Sequence, residues 1–306
     1  MTQVLAIFGP TASGKTAVAE AIADRIPAEL VSADSAQVYR GLPILTNQSV
    51  RRARLVAVWD LDHEASVAEF QQLAHAAVDE ILADGKTPIV VGGTGLYFRA
   101  ALADLEVPPE PAAGAREHWE RLYDRVGGDE AHRLLASRDP GAAAGVHPND
   151  RRRVVRALEL ADAGASLRPQ KDRLWSDHTR RPTLIVGLEV PRDLLGERID
   201  ARTRAMFDLG VVDEARRALQ RPMSRTARRV MGLDEVVGLP VDEATAVLAQ
   251  RTRRLAAYQR KWMRRIPGLV SVRGDRPVPE IAHEILTLAR ARQPVFAGRA
   301  RRAADA

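Results

Sequence analysis

Gly9-Pro10-Thr11-Ala12-Ser13-Gly14-Lys15-Thr16 is the stretch that decides the fold. It has the phosphate-loop pattern of a glycine, four free positions, a second glycine, a lysine and a hydroxyl residue. Leu5-Ala6-Ile7-Phe8 in front reads as a buried strand and Ala17 to Ile26 behind reads as an alanine-rich helix. The glycines let backbone wrap an anion closely, the first helical N–H groups point at it, and the helix dipole favours its charge. Lys15 is then expected to supply a point charge to the phosphates, with the Thr16 hydroxyl placed to ligate magnesium. Lys15, Lys86, Lys171 and Lys261 are the lysines among 46 basic residues, so an arginine-rich chain keeps a lysine where the loop requires one. The loop alone does not distinguish ATP from other phosphate compounds.

Working outward, Glu29 to Ala33 reads as a second strand that delivers Asp34-Ser35-Ala36-Gln37-Val38-Tyr39-Arg40 to its carboxyl end. In an open α/β sheet ligands bind at that edge, so Asp34 is a candidate to face whatever the phosphate loop holds; it also suits a cap on the following turn. Gly41 to His63, with Arg51-Arg52-Ala53-Arg54, is irregular. Ala65 to Ala83 has helical spacing, and Pro88 to Val91 is a buried strand opening onto Gly92-Gly93-Thr94-Gly95. Strands separated by helices and ending in polar loops predict a parallel sheet.

Composition shifts at Val107-Pro108-Pro109-Glu110-Pro111-Ala112, and the chain to about Pro182 reads as helical. Asn149 or Asp150 caps a helix that begins with Arg151-Arg152-Arg153 and continues to Arg156, where arginines oppose the dipole; a solvated face is the plain alternative to a functional one. Thr183 to Val190 resumes the sheet. The expected architecture is therefore a phosphate-loop α/β core over 1–111 and 183–291, interrupted by an all-helical insertion over 112–182 and followed by a disordered basic tail over 292–306. Arg198 and Arg202 lie one turn apart on the helix from Arg192 to Phe207, positioned to clamp a diphosphate if that face meets the loop. Val241 to Met263 carries arginines interleaved with Tyr258, Trp262 and Met263 and no acid from Gln250 onward, a candidate nucleic-acid surface.

The 306 residues carry a net charge of +6, which favours a polyanionic partner. There is no cysteine, which excludes disulfides and thiolate chemistry, and the seven histidines lack metal-ligand spacing. No apolar run reaches membrane-span length and no signal peptide is read, so a cytoplasmic location is expected.

The order of these pieces resembles the tRNA dimethylallyltransferase family. The residues that carry the resemblance are the phosphate loop, Ser32 to Arg40, Ser66 to Phe70, Val91 to Tyr97, His147 to Glu159, and Thr252 to Trp262 with Gln259. The Asp-Ser-x-Gln element at 34 to 37 is the specific part, since phosphate-loop kinases lack it. The resemblance implies a magnesium-dependent monomer that takes dimethylallyl diphosphate on Gly9, Pro10, Thr11, Ala12, Ser13, Gly14, Lys15 and Thr16, and tRNA as acceptor. It implies Asp34 at the adenine amino group, Ser35, Ala36, Gln37 and Thr94 around the flipped base, and Arg152, Arg153 and Arg156 on the tRNA backbone. Arg198 or Arg202 would stabilise the leaving group. Three places depart from the family pattern: Leu45 to Ser49 lacks its lysine, Val58 to Leu61 replaces a Pro-His-His-Leu run, and Met231-Gly232-Leu233 stands for Ile-Gly-Tyr. These bear on loop contacts to RNA and on the prenyl pocket.

Overall fold

Val4–Phe8 (β1) is buried along its whole length, because its residues face helices on both sides of a parallel sheet. The structure, a computed structural model, describes residues 3–291 apart from 50, 52, 109–111, 113 and 169–172. The basic tail expected at 292–306 lies outside the described residues.

The elements follow in chain order: α1 (Lys15–Ala23), β2 (Ala28–Ser32), α2 (Val67–Ala83), β3 (Thr87–Gly92) and α3 (Gly95–Leu102). Next come α4 (Ala115–Val126), α5 (Gly128–Arg138), α6 (Pro140–Ala143), α7 (Arg151–Asp162) and β4 (Thr183–Glu189). The chain then forms α8 (Arg192–Asp208), α9 (Val211–Leu219), α10 (Leu233–Gly238), α11 (Val241–Met263), β5 (Val270–Arg273) and α12 (Val278–Ala291). The five strands pair in the order β2-β3-β1-β4-β5, all parallel. β1 is central, with Ile7 opposite Val91 on one side and Val186 on the other.

One face of the sheet packs Leu5, Ile7, Ile89, Val186 and Val272 against Val18, Ala19 and Ile22 of α1 and Ile281 and Ile285 of α12. On α3, Phe98 meets Phe8 edge-on at 5.1 Å, and Tyr97 lies 4.4 Å from Phe70 of α2. Ser66 caps α2 by accepting from the Glu69 amide at 3.1 Å, as the Ser-x-x-Glu order requires. The irregular segment after β2 clips to that strand: the Arg54 amide donates to Leu30 and the Ser32 amide to Arg54.

The chain folds as two compact units, one holding the described residues up to Asp104 and from Leu174 onward, the other Leu105–Arg173. The second unit thus begins and ends earlier than the 112–182 expected from composition. The reason is the buried guanidinium of Arg99, which donates to the carbonyls of Leu174, Ser176 and His178, while the Arg180 amide donates to Leu102. A polar, glycine-free stretch that reads as part of the insertion is tied to α3 by hydrogen bonds that composition does not reveal. In the second unit α4, α5, α6 and α7 enclose their own apolar cluster around Trp119, Leu135, Val154 and Leu158. Among the described residues no helix is long and apolar enough to cross a membrane.

Candidate active site

The phosphate loop runs from the end of β1 into α1. Gly14 has φ +85° and forms the N-cap of the helix, a conformation that costs an L residue dearly and glycine little. Ala12 shares the left-handed region at φ 63°, so the loop stores strain where it turns. A Cβ on Gly9 would lie 2.6 Å from Ser13 Oγ, and the Gly9 amide donates to the Gly92 carbonyl at 3.3 Å. The loop is therefore pressed against the Gly92-Gly93-Thr94-Gly95 turn after β3. There a Cβ on Gly93 would sit 2.5 Å from Gln259 Nε2, and one on Gly95 2.1 Å from the Trp262 ring.

Beside these turns lies a cleft that opens to solvent. Thr11, Lys15 and Thr16 line one end, together with Arg202 from α8. Asp34, Ala36 and Gln37 enter from the loop after β2, and Leu30, Val31, Leu45, Met231 and Leu255 supply an apolar wall. Asp34 both faces the cleft and caps its turn: its Oδ1 accepts the Ala36 amide at 2.9 Å, which leaves Oδ2 available to the cleft. Gln37 accepts from Ser32 Oγ at 2.9 Å and donates to the carbonyls of Thr46 and Asn47 at 3.2 and 3.0 Å. It is fixed by both of its amide ends and braces the 45–48 loop.

Burial lowers the Lys15 ammonium to a pKa of about 8; Asp34 opposes that shift and Arg202 adds to it. Burial also works against the charge of Arg202, again with Asp34 in opposition. Arg202 Nε is shut off from solvent without a hydrogen-bond partner. Two partly desolvated cations facing one carboxylate form a site short of negative charge, which an anionic ligand would supply.

The structure separates several residues that the sequence grouped together. Arg198 donates to the Gly274 carbonyl at 3.3 Å and does not line the cleft, whereas Arg202 does. Four residues of helix move a side chain about 6 Å along the axis, enough to take Arg198 past the cleft. Ser35 and Thr94 meet each other, with the Ser35 amide 3.4 Å from Thr94 Oγ1, beside the cleft and not in its wall. Of the phosphate loop, Ser13 is buried beneath Gly9. On α7 of the second unit, Arg152 and Arg153 are exposed, but Arg156 is committed to the buried Glu159 at 3.0 Å and to the Pro108 carbonyl. Glu159 also holds Arg116 at 2.6 Å, so Arg156 belongs to an internal network.

Gln259, quoted in the sequence only as part of a matching stretch, has a role that the stretch did not assign to it. It is buried, and its Oε1 accepts the Thr11 amide at 2.7 Å, holding the phosphate loop from 248 residues away. The available signal was a glutamine in the stripe of Thr252, Ala256 and Met263, the buried face of α11. Glu214 of α9 was missed as well; its buried carboxylate accepts the amides of Ile44 at 2.8 Å and Leu45 at 2.7 Å, which carries the apolar wall.

A parallel sheet whose central strand ends in a phosphate-loop motif, with an acid at the end of the next strand but one, defines a phosphate-loop α/β protein. Comparison with known proteins narrows the class. The family described as IPP transferase matches residues 37–266 and that described as isopentenyl transferase matches residues 2–52; the chain belongs to the IPP transferase family. A tRNA dimethylallyltransferase of Exiguobacterium is 41% identical over 86% of this chain and 88% of its own length. One from Kineococcus radiotolerans is 39% identical over 93% and 96%. Among solved structures, the tRNA isopentenylpyrophosphate transferase of Bacillus halodurans superposes with a TM-score of 0.67 at 30% identity, covering 95% of this chain and 98% of that one. A eukaryotic dimethylallyltransferase acting on tRNA shares the fold at a TM-score of 0.74.

Proposed function

We propose that this chain transfers the dimethylallyl group of dimethylallyl diphosphate to the N6 amino group of the adenosine 3′-adjacent to the anticodon of tRNA, releasing diphosphate. The observation that carries the reading is the meeting, in one cleft, of Lys15 and Arg202, of Asp34 within reach of their charges, and of an apolar wall. The diphosphate belongs with the cations and the phosphate loop, and the five-carbon chain with Leu45, Met231 and Leu255.

The adenine lone pair is delocalised into its ring, so transfer needs help at both ends. The N6 nitrogen attacks the allylic carbon, the carbon–oxygen bond breaks, and its electron pair goes to the diphosphate. Lys15, Arg202 and the loop amides favour the charge that gathers on those oxygens. The N6 proton passes to the free oxygen of Asp34, a general-base contribution of about a hundred- to ten-thousandfold. The apolar wall keeps water from the developing allylic cation.

Magnesium fits the donors at the loop. Among the described residues no three histidine or acidic side chains cluster as a metal cage. A hard cation that binds through one hydroxyl, the substrate phosphates and water suits Thr16, with Asp34 in the same cleft. When bound it would neutralise the diphosphate oxygens.

The exposed Arg152 and Arg153 of the second unit, and the basic α11, are the surfaces assigned to the tRNA backbone. The enzyme is read as a cytoplasmic monomer, and light scattering of the purified protein checks its mass in solution. The decisive experiment incubates protein, magnesium, dimethylallyl diphosphate and unmodified tRNA, then reads the isopentenyl mass on the nucleoside after the anticodon. ATP in place of the allylic diphosphate tests whether the phosphate loop serves a small-molecule kinase instead. Product from the wild type is expected, with Asp34→Asn lowering kcat about a hundred- to ten-thousandfold while tRNA still binds. Absence of product, or ATP turnover, overturns the reading.

A further inference from the structure

The outer face of α11 carries a stripe that the cleft does not use. Arg254, Tyr258, Lys261 and Arg265 follow at spacings of four, three and four, which places them on one side of the helix and its last turn. All four are exposed, Tyr258 to 57%. The neighbouring stripe is Leu255, Gln259 and Trp262. Leu255 and Gln259 line the cleft, and Trp262 lies over Gly95, next to Thr94.

Aromatic faces continue outward from that wall. The Tyr258 ring stands edge-on to Trp262 at 6.5 Å, Trp262 meets Trp175 at 4.7 Å, and the Arg265 guanidinium lies 3.6 Å from the Trp175 ring centre. Lys261 shares a groove with Asp193, Glu197 and Asp200 of α8, and Arg254 lies outside it. Arg251 pairs with Glu235 and Arg253 with Asp200, but both lie off the stripe, and the sequence has no acid from Ala244 to Gly274. Among the described residues Arg254 and Lys261 make no ion pair.

An exposed phenol between two cations, on the helix that sends Leu255 and Gln259 into the cleft, matches single-stranded nucleic acid. Bases stack on aromatic faces in a sequence-tolerant way, and the flanking phosphates seek cations. A duplex would offer its phosphates but no free base face. We propose that Tyr258 is a stacking platform for an unpaired nucleotide next to the one whose base enters the cleft, with Arg254 and Lys261 on the adjoining phosphates. The inference rests on the tRNA reading above and adds to it the residue that orders the loop strand outside the cleft.

The test uses the full chain and anticodon stem-loop RNAs carrying 2-aminopurine at single positions flanking the modified adenosine. With wild type, binding quenches fluorescence at one flanking position. Tyr258→Ala removes that quenching and raises the KM for RNA about tenfold, leaving the KM for dimethylallyl diphosphate unchanged. Tyr258→Phe keeps both, since stacking needs the ring and not the hydroxyl. The platform is overturned if no flanking position is quenched, if Tyr258→Ala leaves quenching intact, or if Tyr258→Phe fails as Ala does. Quenching requires binding but not turnover, so bound and quenched RNA without product would count against the transfer reaction alone. RNA that does not bind would overturn both.

Discussion

Lys15 sits in a part of the cleft that disfavours its own charge, with a pKa of about 8 against an ordinary 10.5. The protonated form binds the diphosphate, so the charge is present below pH 8 and lost above it. The expected kcat/KM for dimethylallyl diphosphate is level below pH 8 and falls as pH rises beyond it, read from initial rates across about pH 6.5–9.5. Lys15→Met should remove that alkaline limb together with most of the activity. Arg202 and Arg198 offer a paired comparison on one helix. Arg202→Ala should cost about a hundred- to a thousandfold in kcat, as for loss of a donor to developing negative charge, while Arg198→Ala stays within about twofold. Equal losses would mean that the cleft contacts have been assigned to the wrong arginine.

At the scale of elements, α9 and α11 hold loops that the sheet only presents. Glu214 gives acceptors to two backbone amides, one part-buried at Ile44 and one buried at Leu45, that would otherwise lack partners. Glu214→Ala is expected to lower stability by about 1–3 kcal/mol in urea unfolding and to raise the KM for the allylic substrate as Leu45 loosens. β1 to β4, α1, α2 and α11 were legible in the sequence because each has the pattern of its burial, and the phosphate loop because its glycines and lysine stand at fixed spacing. The cleft was only half legible. Asp34 follows from its place at a strand end, but Gln259 and Glu214 act on backbone amides across the fold, and no local pattern announces such a partner. α3 was hidden in the same way, since the four-residue glycine turn before it reads as loop and its burial depends on Phe8 and Phe70. Arg152, Arg153 and Arg156 look equivalent in sequence; only the position of Glu159 separates the third from the first two.

At the scale of the whole molecule, the helical unit interrupts the chain between α3 and β4, and its exposed arginines sit on its own scaffold. Changing both Arg152 and Arg153 to Glu should weaken tRNA binding at every sequence tested and flatten the slope of log K against log salt by about one to two. Filter binding across roughly 50–300 mM salt checks this, with kcat at saturating tRNA expected to hold. The hydrogen bond from Thr11 to Gln259 has a consequence for how the molecule comes into being. The partners are 248 residues apart. At ribosomal speeds of about 5–20 residues per second, roughly 12–50 seconds separate their synthesis. β1, the phosphate loop and α1 are made well before α11, yet the amide at the heart of the loop waits for a glutamine translated 248 residues later. The nascent chain therefore carries a phosphate-binding motif long before it has a finished phosphate site, and ligand capture becomes a sign that α11 has docked.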